Sequence, residues 1–229
     1  MDQQVSIRAW PRGERPRERL IERGAQTLSD AELLAVVLGT GSSGCNALDT
    51  ARQLLQHFEG SLRRLLTSEA QGLLALRGLG PARYATLMAA LELARRHYRE
   101  ALRAGPAMNA PAATRQFLTA QLRDRPYEVF CCLHLDNRHR LIHFEEVFRG
   151  TIDGASVHPR EVVRQALQYN AAALIFAHNH PSGVAEASQA DELITRRLRD
   201  ALALVEIRVL DHLIVGDNAC LSFAERGLL

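Results

Sequence analysis

Two histidines and an aspartate form the pattern in this chain best suited to chemistry. In LIFAHNHPSGVAEASQAD (174–191) an apolar run ends in His178-Asn179-His180-Pro181, and Asp191 follows after a loop of small residues. Residues two apart on a strand point to the same side, so His178 and His180 present paired imidazoles where the strand leaves the sheet. The loop through Pro181, Ser182 and Gly183 lets the first turn of the next helix fold back and carry Asp191 over them. Two imidazoles and a carboxylate make a three-ligand site with a fourth position open. Zinc suits those ligands, and the open position distinguishes catalytic from structural zinc sites. A plainer reading covers part of the pattern. Ser188-x-x-Asp191 is also a capping box, with Ser188 before the helix and Asp191 at its third position. It leaves the two strand-ending histidines unexplained, and both readings can hold together.

These side chains need a strand, a loop and a helix in fixed order. AAALIFA reads as a buried strand and SQADELITRRLRDALAL as the helix after it. YEVFCCLHLD and RLIHFEEVFRG are β-rich runs joined by Asn137-Arg138-His139, a hairpin pattern. TRQFLTAQLRD is helical, and PREVVRQALQYN opens a helix with Pro159 at the first position. IRVLDHLIVG and ACLSF are strands around Gly216-Asp217-Asn218. The spacing predicts an α/β domain with a mixed sheet over 107–229. Residues 1–104 read as all-helical. TLSDAELLAVVLG starts at Ser29 or Asp30 and stops at Gly39, and NALDTARQLLQHFEG is stopped by Gly60. SLRRLLTS and SEAQGLLAL are shorter helices, and GPARYATLMAALELARRHYREALRA is the longest. The Arg- and Pro-rich residues 1–25 read as an extended lead. AGPAMNAPAA (104–113), with its small residues and two prolines, sets the domain boundary.

The chain has 229 residues and is 47% apolar, enough for a real core. Its net charge of +2 is too small to imply a polyanionic partner, and all 28 basic residues are arginine. None of the four cysteines sits in a C-x-x-C pair, which excludes a zinc ribbon. Cys131 and Cys132 are adjacent in a strand and should face opposite sides. With no signal peptide and no apolar run near 18 residues, a soluble cytoplasmic protein with reduced thiols is expected, with no membrane partner.

Several patterns mislead. The contiguous His-Asn-His is not the dispersed triad of HNH nucleases. The His-x-His of amidohydrolases needs a full TIM barrel, which about 120 residues cannot build. Zinc deaminases need His-x-Glu and P-C-x-x-C, and neither is present. Gly39-Thr40-Gly41-Ser42-Ser43-Gly44 matches G-x-G-x-x-G but follows a helix, so it reads as a helix–helix loop. RGLGPAR (77–83) joins two helices and resembles a helix-hairpin-helix element. It is either a tight turn or an anion site, with Arg77 and Arg83 near a backbone phosphate. Non-specific DNA binding by the helical domain therefore stays open. His134, His139 and His143 lack acidic or histidine partners at ligand spacing. His212, alternating with Leu210 and Ile214, reads as a buried structural histidine, with support of the site from behind as the alternative.

His178-x-His180-Pro181 followed by Ser188-x-x-Asp191 resembles the JAMM (MPN+) metalloprotease motif. HNHPSG, with VHPRE (157–161) upstream and LDH (210–212) downstream, more closely resembles the bacterial RadC family. PRERL, LSDAELLA and RGLG extend the likeness through the helical half. The resemblance implies a JAMM/MPN fold, related to that of cytidine deaminases, behind a helical domain. It implies zinc bound by His178, His180 and Asp191, with a water as fourth ligand and its pKa lowered toward ~7. Ser188 would donate to the oxyanion. A glutamate near the junction of the domain's first helix and first strand would be the general base. Glu128 fits that place best, Glu146 is the second choice, and Glu145 lies beside it. The implied activity is zinc-dependent hydrolysis of an amide bond in an unidentified peptide or protein substrate. The competing reading is a DNA-associated repair or recombination accessory protein whose zinc is structural or secondary. An inert scaffold fits less well, because all four motif residues are in place. Pairing of such domains as homodimers is an expectation by analogy.

Overall fold

A computed structural model of the chain describes residues 6–42, 44–105, 111–150 and 157–229. The chain divides into two compact units, residues 1–93 and 94–229. The division falls inside one helix, α6 (Pro81–Ala104). Of the small-residue stretch expected to mark a boundary, 106–110 lie outside the described residues.

The first unit is helical, and its beginning differs from the expected extended lead. Turns of 3-10 helix at Ile7–Ala9 and Arg12–Glu14 run into α1 (Pro16–Arg23). Proline starts this helix rather than breaking the pattern. At the first position its fixed φ suits the helix, and its missing N–H is one the helix would leave unpaired. Glu18 in the first turn adds a favourable charge at the positive end of the helix dipole. The Arg15 guanidinium donates to the Trp10 carbonyl at 2.9 Å and fixes the approach.

Helix α2 (Asp30–Leu38) opens with a complete capping box between Ser29 and Glu32 and ends at Gly39. Helix α3 (Ala47–His57) is capped by Asn46, and α4 (Leu62–Thr67) and α5 (Ala70–Leu74) follow. Leu34, Leu38, Leu48, Leu54, Leu65, Leu73 and Leu79 share one core. The Gly39–Gly44 stretch links two helices, as its context predicts. In the RGLGPAR turn the Arg83 guanidinium donates to Gly78 O at 2.7 Å, to Thr40 Oγ1 at 2.9 Å and to Gly41 O. Arg83 therefore fastens two loops of this unit together.

The second unit holds a five-stranded sheet in the order β2-β1-β3-β4-β5. The strands are β1 (Val129–Leu135), β2 (Leu141–Arg149), β3 (Ala173–Asn179), β4 (Arg208–Val215) and β5 (Cys220–Ser222). Only β3 and β4 run parallel, and α9 (Gln189–Ala203) supplies the crossover such a pair requires. Helices α7 (Pro111–Leu122), α8 (Pro159–Gln168) and α10 (Phe223–Arg226) and the end of α6 also belong to this unit. Every residue of β1 and β3 is buried, as expected for central strands covered on both faces. Cys131, Leu133, Ile175 and Ala177 pack on Phe117, Leu118 and Leu122 of α7. Phe130, Cys132, Leu174 and Phe176 pack on α8 and α9 on the other face. The adjacent cysteines thus face opposite cores, and burial pushes both thiols above the ordinary range.

His134 is fully buried on the α8 face, 4.9 Å from the Tyr169 ring centroid, and neither ring nitrogen has a hydrogen-bond partner among the described residues. The Glu145 carboxylate comes no nearer than 3.6 Å to its Nε2. Burial, and then the neighbouring His143, lower its pKa from 6.5 to about 4. A neutral His134 therefore adds stability that is complete above pH 6.5 and is lost as pH falls toward 4, because the unfolded chain takes up the proton first. Urea unfolding of a His134→Gln protein should show a smaller drop in stability between pH 7.5 and 4.5. The expected difference from the parent is about 2.5 kcal/mol. Equal drops would mean that His134 is already solvated in the fold.

Candidate metal centre

The end of β3 carries three polar residues with three separate tasks. His178 is fully buried and lies opposite Phe130 of β1, whose ring stacks at 6.4 Å. Asn179 points the other way. Its Oδ1 accepts from Val129 N at 2.8 Å, and its Nδ2 donates to Tyr127 O at 3.0 Å and to Arg125 O at 3.3 Å. His180 lies just past the strand, where its backbone N–H donates to Val215 O at 3.0 Å. The His180 side chain is 17% exposed, so the cluster is open to solvent on this side.

The loop after His180 is held by backbone contact with the β4–β5 turn. Gly183, at φ 82°, accepts from Asp217 N at 2.9 Å. A Cβ on Gly216 would stand 2.5 Å from Gly183 O and 2.9 Å from Ala185 N, so only glycine permits this approach. The loop in turn brings Val184 O to 2.8 Å from His180 Nδ1. A Gly216→Val protein should therefore bind zinc about 10–100-fold more weakly in a competition titration, the usual cost of losing outer support for a ligand. Its metal-free circular dichroism should match the parent. Unchanged affinity would show that this loop does not position His180.

Asp191 closes the capping box of α9 and stands in the candidate metal cluster at once. Ser188 N and Oγ donate to Asp191 Oδ2 at 2.8 and 2.7 Å, and Asp191 N donates back to Ser188 Oγ at 3.2 Å. This reciprocal box fixes the carboxylate with Oδ1 3.2 Å from His178 Nε2 and Oδ2 3.7 Å from His180 Nε2. Asp191 is only 1% exposed. Burial alone would raise its pKa. The hydrogen bond and charge of His178, then the bonds from Ser188, outweigh that and hold it below the usual carboxylate range.

The ligand atoms of His178, His180 and Asp191 all lie within 4.8 Å of one another, the single such group among the described residues. The two Nε2 atoms are 3.0 Å apart. Val184 O can only accept, so His180 carries its proton on Nδ1 and turns the lone pair of Nε2 toward the cluster. A lone pair, a second imidazole nitrogen and a buried carboxylate converge on one point. A divalent cation satisfies all three, and this donor set admits zinc and its first-row neighbours.

Register separates the three glutamates. Phe130 lies opposite His178 across the β1–β3 pair. Glu128 lies two residues before Phe130, the residue opposite His178, and so enters the sheet at the end that carries the cluster. Glu146 lies opposite Cys131, hence on the other face, and is held by Arg125 at 2.6 Å and Arg149 at 2.9 Å. Glu145 shares the His178 face but lies opposite Cys132, deeper in the sheet, and accepts from Gln165 at 2.8 Å. Two residues near the site escaped sequence reasoning. Asn179 sits inside the motif as an unassigned letter, and Thr195 lies one helical turn after Asp191 with no distinguishing neighbour. His212 is buried, as expected, but it is also in contact with the site, its Nε2 2.8 Å from His178 Nδ1.

Residues 108–228 match the family described as RadC-like JAB domain, and residues 7–85 match the one described as UPF0758 N-terminal. The chain is 66% identical to a UPF0758 protein of Thioalkalivibrio sulfidiphilus, over 98% of this chain and 100% of that protein. UPF0758 proteins of Halorhodospira halophila and Nitrosococcus oceani are 61% and 60% identical over the same shares. The helical first unit and the mixed five-stranded sheet of the second agree with a JAB/MPN domain preceded by a helical domain.

Proposed function

The chain belongs to the RadC family, and from that premise we propose that it is a zinc-dependent hydrolase cleaving an amide bond in a peptide or protein. One observation carries this reading: the buried convergence of His178, His180 and Asp191, with one edge open at His180. His178, His180 and Asp191 would hold the zinc, and bound zinc would supply Lewis-acid activation of a water molecule at neutral pH. Glu128 would take the proton from the attacking water and pass it to the leaving amine. Ser188 keeps the Asp191 carboxylate in place through its backbone N–H. Its hydroxyl, now turned to Asp191 Oδ2, would rotate to donate to the oxyanion of the tetrahedral intermediate.

Elemental analysis of the full-length protein tests the first requirement. Close to one zinc per chain at neutral pH is expected, with loss in a His178→Ala, His180→Ala double variant. A protein purified and dialysed with zinc that retains no stoichiometric metal ends the hydrolase reading.

A further inference from the structure

The second ring nitrogen of His178 leads into the fold, away from the metal-facing cluster. His178 Nδ1 is 2.8 Å from His212 Nε2. His212 Nδ1 is 2.6 Å from Thr195 Oγ1, and Thr195 Oγ1 donates to the Asp191 carbonyl at 2.5 Å. His212 and Thr195 are buried, and the His212 ring is enclosed by Phe130, Phe176 and Phe223.

Proton counting along this chain has one solution. A main-chain carbonyl only accepts, so the single hydroxyl proton of Thr195 points to Asp191 O. The Thr195 oxygen must then accept from His212, which places a proton on His212 Nδ1. With its one proton placed on Nδ1, His212 offers a lone pair at Nε2, and His178 Nδ1 donates to it. The Nε2 of His178 is then left to face Asp191 and His180.

We propose that Thr195 and His212 are positioning residues that hold His178 in the Nδ1–H form and so preset its Nε2 as a metal donor. The chain begins and ends on the residue pair it serves. The first turn of α9 supplies the Asp191 carboxylate as one ligand, and the carbonyl of the same residue orients the proton that fixes another. Second-layer partners of this kind set the tautomer and ring orientation of ligating histidines. The inference rests on the metal-site reading above, and its test is chosen to fail separately.

Nitrogen-detected imidazole NMR on the intact protein reads the tautomer directly. His212 should be protonated on Nδ1 and bare on Nε2, with and without zinc, and His178 should carry its Nδ1 proton in the zinc-loaded protein. Zinc affinity should fall about 10–100-fold in His212→Leu and in Thr195→Val. It should largely recover in His212→Gln, whose carbonyl accepts from His178 and whose amide donates to Thr195. If His212→Leu does not fold, His212→Gln, Thr195→Val and the spectrum of the unaltered protein decide. An Nε2-protonated His212, or parent affinity in Thr195→Val, overturns the proposal while leaving the hydrolase reading intact. A protein that takes up no zinc yet shows the stated His212 tautomer ends the hydrolase reading and leaves the proton-ordering chain standing.

Discussion

The Asp191→Asn protein is expected to keep its fold and lose its metal. Asparagine retains the size of the side chain and one acceptor oxygen for Ser188, so the start of α9 survives. What disappears is a full negative charge at a site only 1% exposed. A unit charge acting over about 4 Å at an effective dielectric near 20 is worth about 4 kcal/mol, roughly a thousandfold in affinity. Zinc content after dialysis should drop from about one per chain to a trace. Thermal unfolding of the metal-free protein should move by only about 1 kcal/mol, the scale of a weakened cap. Retention of full metal content would mean that Asp191 is a helix cap and nothing more.

Glu128→Gln should give the opposite pattern, with metal kept and turnover lost. Glu128 enters the sheet at the end that carries the cluster, yet it is not one of the three residues whose ligand atoms meet. Replacing its carboxylate by an amide removes a proton acceptor without changing the donor set. Hydrolysis of a mixed peptide library, read by mass spectrometry, should slow by about 10²–10⁴-fold, the usual contribution of a general base. Glu146→Gln is the matched control. Its carboxylate is occupied by Arg125 and Arg149 on the other face of the sheet. Its loss should cost under about 1 kcal/mol of stability and little activity. Loss of zinc from Glu128→Gln, or unchanged hydrolysis, would remove Glu128 from the role.

Much of this was legible in the sequence because short-range rules govern it. The alternation in YEVFCCLHLD predicts that Cys131 and Cys132 part to opposite cores, and they do. Ser188-x-x-Asp191 spells a capping box whatever surrounds it, and the box is complete. The Arg- and Pro-rich start was misjudged because proline signals both a break and a first helical position. Only the Arg15–Trp10 contact and the turns before Pro16 decide between them. The link from His212 to His178 depends on how β4 aligns beside β3, thirty-four residues apart in sequence, and no local pattern records that alignment. That Glu146 lies on the other face of the sheet from His178 likewise needs the register of β1 against both neighbours.

Asn179 gives this arrangement a further property. Its amide grips the main chain on both sides of Glu128, at Tyr127 O and Val129 N, from a point between the two histidines. The span from candidate base to candidate ligands is therefore gauged by one internal brace rather than by the surface loops around the opening. The loop that accepts from His180 Nδ1 turns that imidazole, while the brace keeps the two main chains at a constant distance.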